Sequence, residues 1–232
     1  MHPSASQKGF SLIEIAIVLV VLGLLLGGLL GPLSVRVEQQ ERAKTQALLE
    51  EIKEALLGYA AINGYLPCPT TETDPADDKY GVAADACPPG TATAEGYLPW
   101  KTLGVSPTDA WGRPRVTPTD DWRGYWRYRV DGKFAGVDTA IRLTTPFSAA
   151  LRVVDAASGN PLTTTERPVA IFFSAGGQNR DNDPSGSDTD GENTTYDGTY
   201  EAGSYSPTFD DMTTWLSRPL LFNRMLMAGK LP

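Results

Sequence analysis

The chain has 232 residues, a formal net charge of −8 and an isoelectric point near 4.7. That balance argues against non-specific nucleic-acid binding, which needs clustered Lys and Arg to neutralise phosphates. Its one histidine is His2, so the globular part has no imidazole for a Ser-His-Asp or Cys-His unit. A carboxylate-pair hydrolase stays compatible with the composition.

The first element is apolar. Residues 15–35 form a 21-residue run without a charge, about 30 Å long as a helix and so matched to a bilayer's hydrocarbon core. A cleaved secretory signal predicts a shorter run followed by a small-residue cleavage site, whereas here the sequence continues L-S-V-R-V-E-Q-Q. A simple anchor explains the length but not Glu14, a carboxylate at its edge. Charge at the centre of a bilayer costs about 2.5–3.5 kcal/mol, and an ionisable residue in a span marks function by default. Counted alone, Lys8 before the run against Arg36, Arg42 and Lys44 after it leaves the orientation ambiguous or reversed. Pro32, after Gly31, is expected to bend or loosen the helix.

From residue 35 to 62 the pattern turns amphipathic. Leu48, Leu49, Ile52, Leu56 and Tyr59 recur at three- and four-residue spacing. Glu38 with Arg42 and Glu41 with Lys44 are placed to pair on the wet side, and Asn63-Gly64 reads as the helix stop. One helix of about fifty residues is therefore expected, its second half covering a core.

Cys68 and Cys87 follow in a proline-rich stretch, with no C-x-x-C spacing for a metal or redox site. Read as a disulfide, they imply an oxidising compartment and stabilise by roughly 3 kcal/mol in the chain-entropy model. The turn D-A-W-G-R-P carries Asp109, Trp111, Gly112 and Pro114, with Trp111 expected to pack on the long helix. Next, W-R-Y-R-V-D-G-K-F alternates Trp126, Tyr128 and Val130 with Arg127, Arg129 and Asp131. It reads as a strand ending in a hairpin turn at Asp131-Gly132. A-I-R-L-T, A-L-R-V-V and P-V-A-I-F-F-S read as further strands, and short connections predict an antiparallel sheet.

Residues 174–207 are nearly free of aliphatic side chains and bury no core of their own. Asp181, Asp183, Asp188, Asp190 and Glu192 supply oxygen donors at calcium-like density, so a solvated acidic loop and a calcium site both stand as readings. In the C-terminal piece Ser217 is expected to cap a helix with Pro219 in its first turn, and Gly229 to end it. Asp210 and Asp211 are expected to cap the preceding turn or return to the acidic loop.

K-G-F-S-L-I-E followed by a long apolar helix resembles the prepilin motif of type IV pilins and type II secretion pseudopilins. The resemblance implies a membrane peptidase that cuts after Gly9 and N-methylates Phe10. It also implies that Glu14, at the fifth mature position, meets the N-terminal amine of a neighbouring subunit. D-A-W-G-R-P is similar to the turn that opens the sheet in major pseudopilins, with Ala110 in place of the usual proline. S-A-G-G is similar to the strand end before their calcium loop.

The implied fold is α+β: a long N-terminal helix, transmembrane in its first half, packed on an antiparallel sheet with an acidic loop and a C-terminal helix. The implied organisation is a leader at 1–9, a transmembrane half at 10–35, an amphipathic half at 36–63 and a periplasmic domain at 64–232. The implied partners are other pilin-type subunits, the prepilin peptidase, the inner membrane and its assembly platform. Size points to a minor or specialised subunit. The rival expectation is a membrane-anchored carbohydrate-binding or hydrolytic domain using Trp100, Trp111, Trp122 and Trp126.

Overall fold

The computed structural model describes residues 11–87, 95–137, 141–148, 151–177, 193, 198–206 and 209–231, with residues 25–33 described in backbone only. By contact the chain forms two units, Met1–Arg42 and Ala43–Pro232. Helix α1, Leu12–Asn63, contributes to both.

In the first unit the described side chains from Leu12 to Leu24 are all exposed, and Glu38 pairs with Arg42 at 3.9 Å. Among the described residues no helix is long and apolar enough to cross a membrane. The expected span runs through residues 25–33, whose side chains lie outside the description.

In the second unit α1 ends where expected. Gly64 takes φ 87°, and its N–H bonds the Ala60 carbonyl at 2.9 Å. That left-handed conformation is open to glycine without a Cβ clash. The chain continues through β1 (Gly96–Tyr97), α2 (Trp100–Leu103), β2 (Arg127–Val130), β3 (Arg152–Asp155), β4 (Pro168–Ser174), β5 (Thr199–Ala202), β6 (Met212–Ser217) and α3 (Arg218–Met227). A four-stranded sheet has the order β1-β2-β4-β6 and is antiparallel throughout.

Strand register sorts the side chains by face. Tyr128 lies opposite Phe172, and Val130 opposite Ala170. These residues pack with Leu216 against Leu49, Ile52, Leu56, Leu57 and Ala60 of α1 and against Leu221 and Met225 of α3. On the other face Ile171 and Phe173 pack with Trp215 against Leu151, Val153, Tyr200 and Ala202. All seven residues of β4 are consequently buried.

The second layer corrects the expectation of a single antiparallel sheet. β3 pairs with β5 in parallel as a separate two-stranded ribbon. The link from β3 to β5 passes through β4, long enough for the crossover that parallel pairing needs. Two smaller expectations also change. At Asp131-Gly132 a turn forms, Phe134 N–H to Asp131 C=O at 2.8 Å, but the chain then pairs with Leu66 instead of folding back on β2. The described part of A-I-R-L-T is a turn, closed by Thr145 N–H to Arg142 C=O at 2.9 Å.

α3 stops in a Schellman motif. The Gly229 N–H reaches Leu226 C=O at 3.0 Å and the Lys230 N–H reaches Met225 C=O at 2.9 Å, with φ 67° at Gly229. At its start Pro219 is in place, but the hydroxyl of Ser217, the last residue of β6, makes no capping bond.

Leu56 is fully buried between α1 and the sheet. Leu56→Ala should lower stability by about 2–5 kcal/mol in urea unfolding; a loss below about 1 kcal/mol would contradict this packing.

Candidate functional site

α1 opens with a reciprocal cap. The backbone N–H and the hydroxyl of Ser11 both donate to one carboxylate oxygen of Glu14, at 2.8 and 2.9 Å. The Glu14 N–H reaches back to the Ser11 hydroxyl at 3.3 Å. S-L-I-E is thus a capping box, in which side chains at the N-cap and third helical positions satisfy each other's backbone donors. The S-x-x-E spacing carried that signal in the sequence, and the sequence reading missed it. Glu14 is therefore both a helix cap and the one acid of the apolar segment. Gly9 and Phe10 lie outside the described residues.

Cys68 and Cys87 form the expected disulfide, with Cα atoms 5.3 Å apart. The loop it closes carries Tyr80 into a group of rings formed with Trp100, Trp122 and Tyr125, with Tyr97 stacked on Trp122 at 3.7 Å between centroids. Burial pushes the Tyr80 hydroxyl up, aided by its 2.9 Å hydrogen bond to the Tyr125 hydroxyl. Arg115 lies 3.9 Å over Trp122 and donates to the carbonyls of Thr73, Pro118 and Asp120. Trp126 is completely buried and Trp100 is 6 % exposed, so neither offers a face to a carbohydrate. A cavity of about 260 Å³ beside this turn is lined by Arg113, Pro114, Arg115, Val116, Asp120 and Asp121. Its charges are largely met internally: Arg113 pairs with Asp121 at 3.2 Å, and Asp120 accepts from the Val116 and Thr117 N–H groups and the Thr117 hydroxyl.

The D-A-W-G turn is organised by Asp109, which is 4 % exposed. One carboxylate oxygen accepts the Trp111 and Gly112 N–H groups at 2.9 and 2.8 Å, and the other accepts the Ser174 hydroxyl at 2.5 Å. The turn meets α1 through the Ala110 N–H, which donates to the buried Thr45 hydroxyl at 3.2 Å. The Trp111 indole lies beside Gly177, just past β4.

Asp181, Asp183, Asp188, Asp190 and Glu192, the calcium candidates, lie outside the described residues. Among the described residues no group of three His, Cys, Asp or Glu is placed to hold a metal ion. Asn193 is described and is 1 % exposed. Its side chain pairs with the backbone of Glu201 in β5, at 2.6 Å to the N–H and 3.2 Å to the carbonyl, and donates to Asp211 at 2.5 Å. Asp211 thus turns toward the end of the acidic stretch, and both it and Asp210 are buried.

A buried ionic group escaped the sequence reading. Glu95 pairs with Arg127 at 2.7 Å, with side chains 1 % and 6 % exposed. Tyr200 donates its hydroxyl to Glu95 and stands 3.4 Å from Arg129. Burial raises the Glu95 carboxyl, and Arg127 is the largest opposing influence. The arginines alternate with core residues as solvent-facing residues would, so only the ribbon reveals that they are covered.

Residues 4–30 match the family model of the prokaryotic N-terminal methylation motif. The chain carries a prepilin-type methylation motif. That motif is the signature of type IV pilin and pseudopilin prepilin-type proteins. No curated protein and no solved structure matches the chain. The matched motif contains Gly9, Phe10 and the Ser11–Glu14 cap. It implies membrane anchoring followed by a filament, and contact with other pilin-type subunits and with the prepilin peptidase in general.

Asp109 supplies a pH test of the second unit. Burial raises its carboxyl from the ordinary 3.8 to about 6, against the opposing bonds from Ser174, Trp111 and Gly112. Between those values the folded chain binds more protons than the unfolded chain. Asp109's contribution to stability is therefore greatest below pH 4 and is lost as pH rises through about 6. Asp109→Asn should flatten that part of the profile by on the order of 2 kcal/mol. Parallel urea-stability profiles for the two proteins from pH 4 to 7 would contradict it.

Proposed function

We propose that the protein is a non-enzymatic structural subunit of a type IV pilus or a type II secretion pseudopilus. It is cut after Gly9, N-methylated at Phe10, held in the inner membrane by the first half of α1 with residues 64–232 on the periplasmic side, and then drawn into a filament. The observation that carries this reading is the methylation motif at residues 4–30 with Glu14 in the first turn of the helix that follows. The Cys68–Cys87 disulfide supports placement of the globular part in an oxidising compartment. The α+β arrangement, a long helix covering one face of an antiparallel sheet, supports a pilin fold.

Size supports a specialised rather than a bulk subunit. Of the four tryptophans proposed for the rival carbohydrate-binding domain, Trp100 and Trp126 are buried and Trp111 and Trp122 are half-buried.

Glu14 carries the mechanism. A carboxylate at the edge of an apolar span is costly in lipid. Ser11 supplies two donors within the chain, and the free amine created at Phe10 of a neighbour supplies a charge-assisted partner on assembly. Leaving the bilayer for the filament core thus exchanges a local cap for an ion pair between subunits.

Glu14→Val separates processing from assembly. The variant should still be cleaved and remain in the membrane fraction but be absent from sheared filaments. Normal incorporation of the variant would refute the role assigned to Glu14.

A further inference from the structure

Thr45 is the first residue of α1 in the second unit that is fully buried; Ala43 and Lys44 before it are exposed. Its hydroxyl accepts the Ala110 N–H at 3.2 Å, so the D-A-W-G turn holds the first turn of α1 that this unit covers. Asp109 sits where that turn meets two other segments, the end of β4 at Ser174 and the stretch before β2 at Gly124. The Asp109 N–H bonds the Gly124 carbonyl at 2.8 Å, and a Cβ on Gly124 would collide with the Asp109 carboxylate and with Gly112. Two glycine backbones thus close over the carboxylate and leave no side-chain space beside it. The charged groups around the junction are Arg123, which draws the carboxyl toward ionisation, Asp210, buried against Gly176, and the exposed Lys44 next to Thr45.

We propose that this junction is a proton-operated latch on α1: with a proton on Asp109 the turn holds Thr45, and without one it opens locally and lets that turn of the helix go. A neutral carboxyl donates to the Ser174 hydroxyl and still accepts the Trp111 and Gly112 N–H groups with its other oxygen, so the turn keeps its bonds without a buried charge. An ionised carboxylate keeps the same partners but is shut off from water, and opening the turn restores its hydration. Burial holds the Asp109 carboxyl at about 6, against an ordinary 3.8. The closed latch therefore binds the extra proton. Its advantage is full below pH 4, shrinks as pH rises and is gone above about 6. The device works within one chain and rests on no contact between subunits.

Hydrogen exchange at the Ala110 amide, on the full chain in detergent micelles, reads the latch directly. It is expressed as protection, so that the pH dependence of the chemical rate drops out. Protection should fall about tenfold between pH 5 and pH 7, the ratio produced by carboxyl values of about 6 closed and 3.8 open. At both pH values Ala110 should exchange faster than Ile171 in the buried strand β4, which opens only with the whole domain. Asp109→Asn, whose amide mimics the neutral carboxyl, should keep the pH 5 protection at pH 7. Thr45→Val should lower protection at Ala110 at both pH values, and more than at Trp111 or Gly112. Equal Ala110 protection at pH 5 and pH 7 overturns the latch. So does a change that persists in Asp109→Asn, because it then belongs to another group. Ala110 exchange no faster than that of Ile171 overturns it too, because the opening is then global. Ala110 protection unaltered by Thr45→Val overturns the hold on α1. Should Asp109→Asn fail to fold, the pH comparison and Thr45→Val decide the matter.

Discussion

Seven consecutive residues of β4 are withdrawn from water, and a strand buried on both faces needs an apolar cover on each side. One cover is α1 with α3, the other the β3–β5 ribbon. The second cover encloses Arg127 and Arg129, where Tyr200 of the ribbon and Glu95, the residue before β1, meet them. A buried cation with its partner removed is strongly destabilising, which makes this ionic group a condition of the ribbon's docking. The D-A-W-G turn joins the same system from the end of β4, where Asp109 holds Ser174.

The same helix that covers the sheet begins with the methylation motif. Its two ends obey different rules. Within the second unit it buries one stripe and leaves a charged one exposed. At its start the described side chains are exposed and apolar apart from Glu14, which caps the helix through Ser11. The capping box changes the account of Glu14 in one respect. In a single chain the carboxylate already has two donors, so assembly competes with an existing arrangement rather than filling an empty one.

Much of this was legible in the residues. The three-four spacing of Leu49, Ile52 and Leu56 places the buried stripe of α1. Gly64 and Gly229 mark its stop and that of α3 through their left-handed backbones. P-V-A-I-F-F-S gives β4 as a continuous apolar run. The ribbon was not legible, because parallel pairing between distant short strands leaves no local signal and the arginines of β2 alternate as surface residues do. The turn at Arg142–Thr145 shows the opposite failure, a strand-like composition overruled by local hydrogen bonds. At the candidate site the motif made Gly9, Phe10 and Glu14 readable, while Ser11 was overlooked in plain view. The acidic stretch gave composition without geometry.

The central claim is that this helix is a processed prepilin helix. Mass spectrometry of the mature N-terminus, on chain isolated from its own cell envelope, tests it most directly. The account predicts a chain that begins at Phe10 with a methyl group on its amine and lacks residues 1–9. A mature chain that retains Lys8 and Gly9, or that begins beyond Glu14, would contradict it.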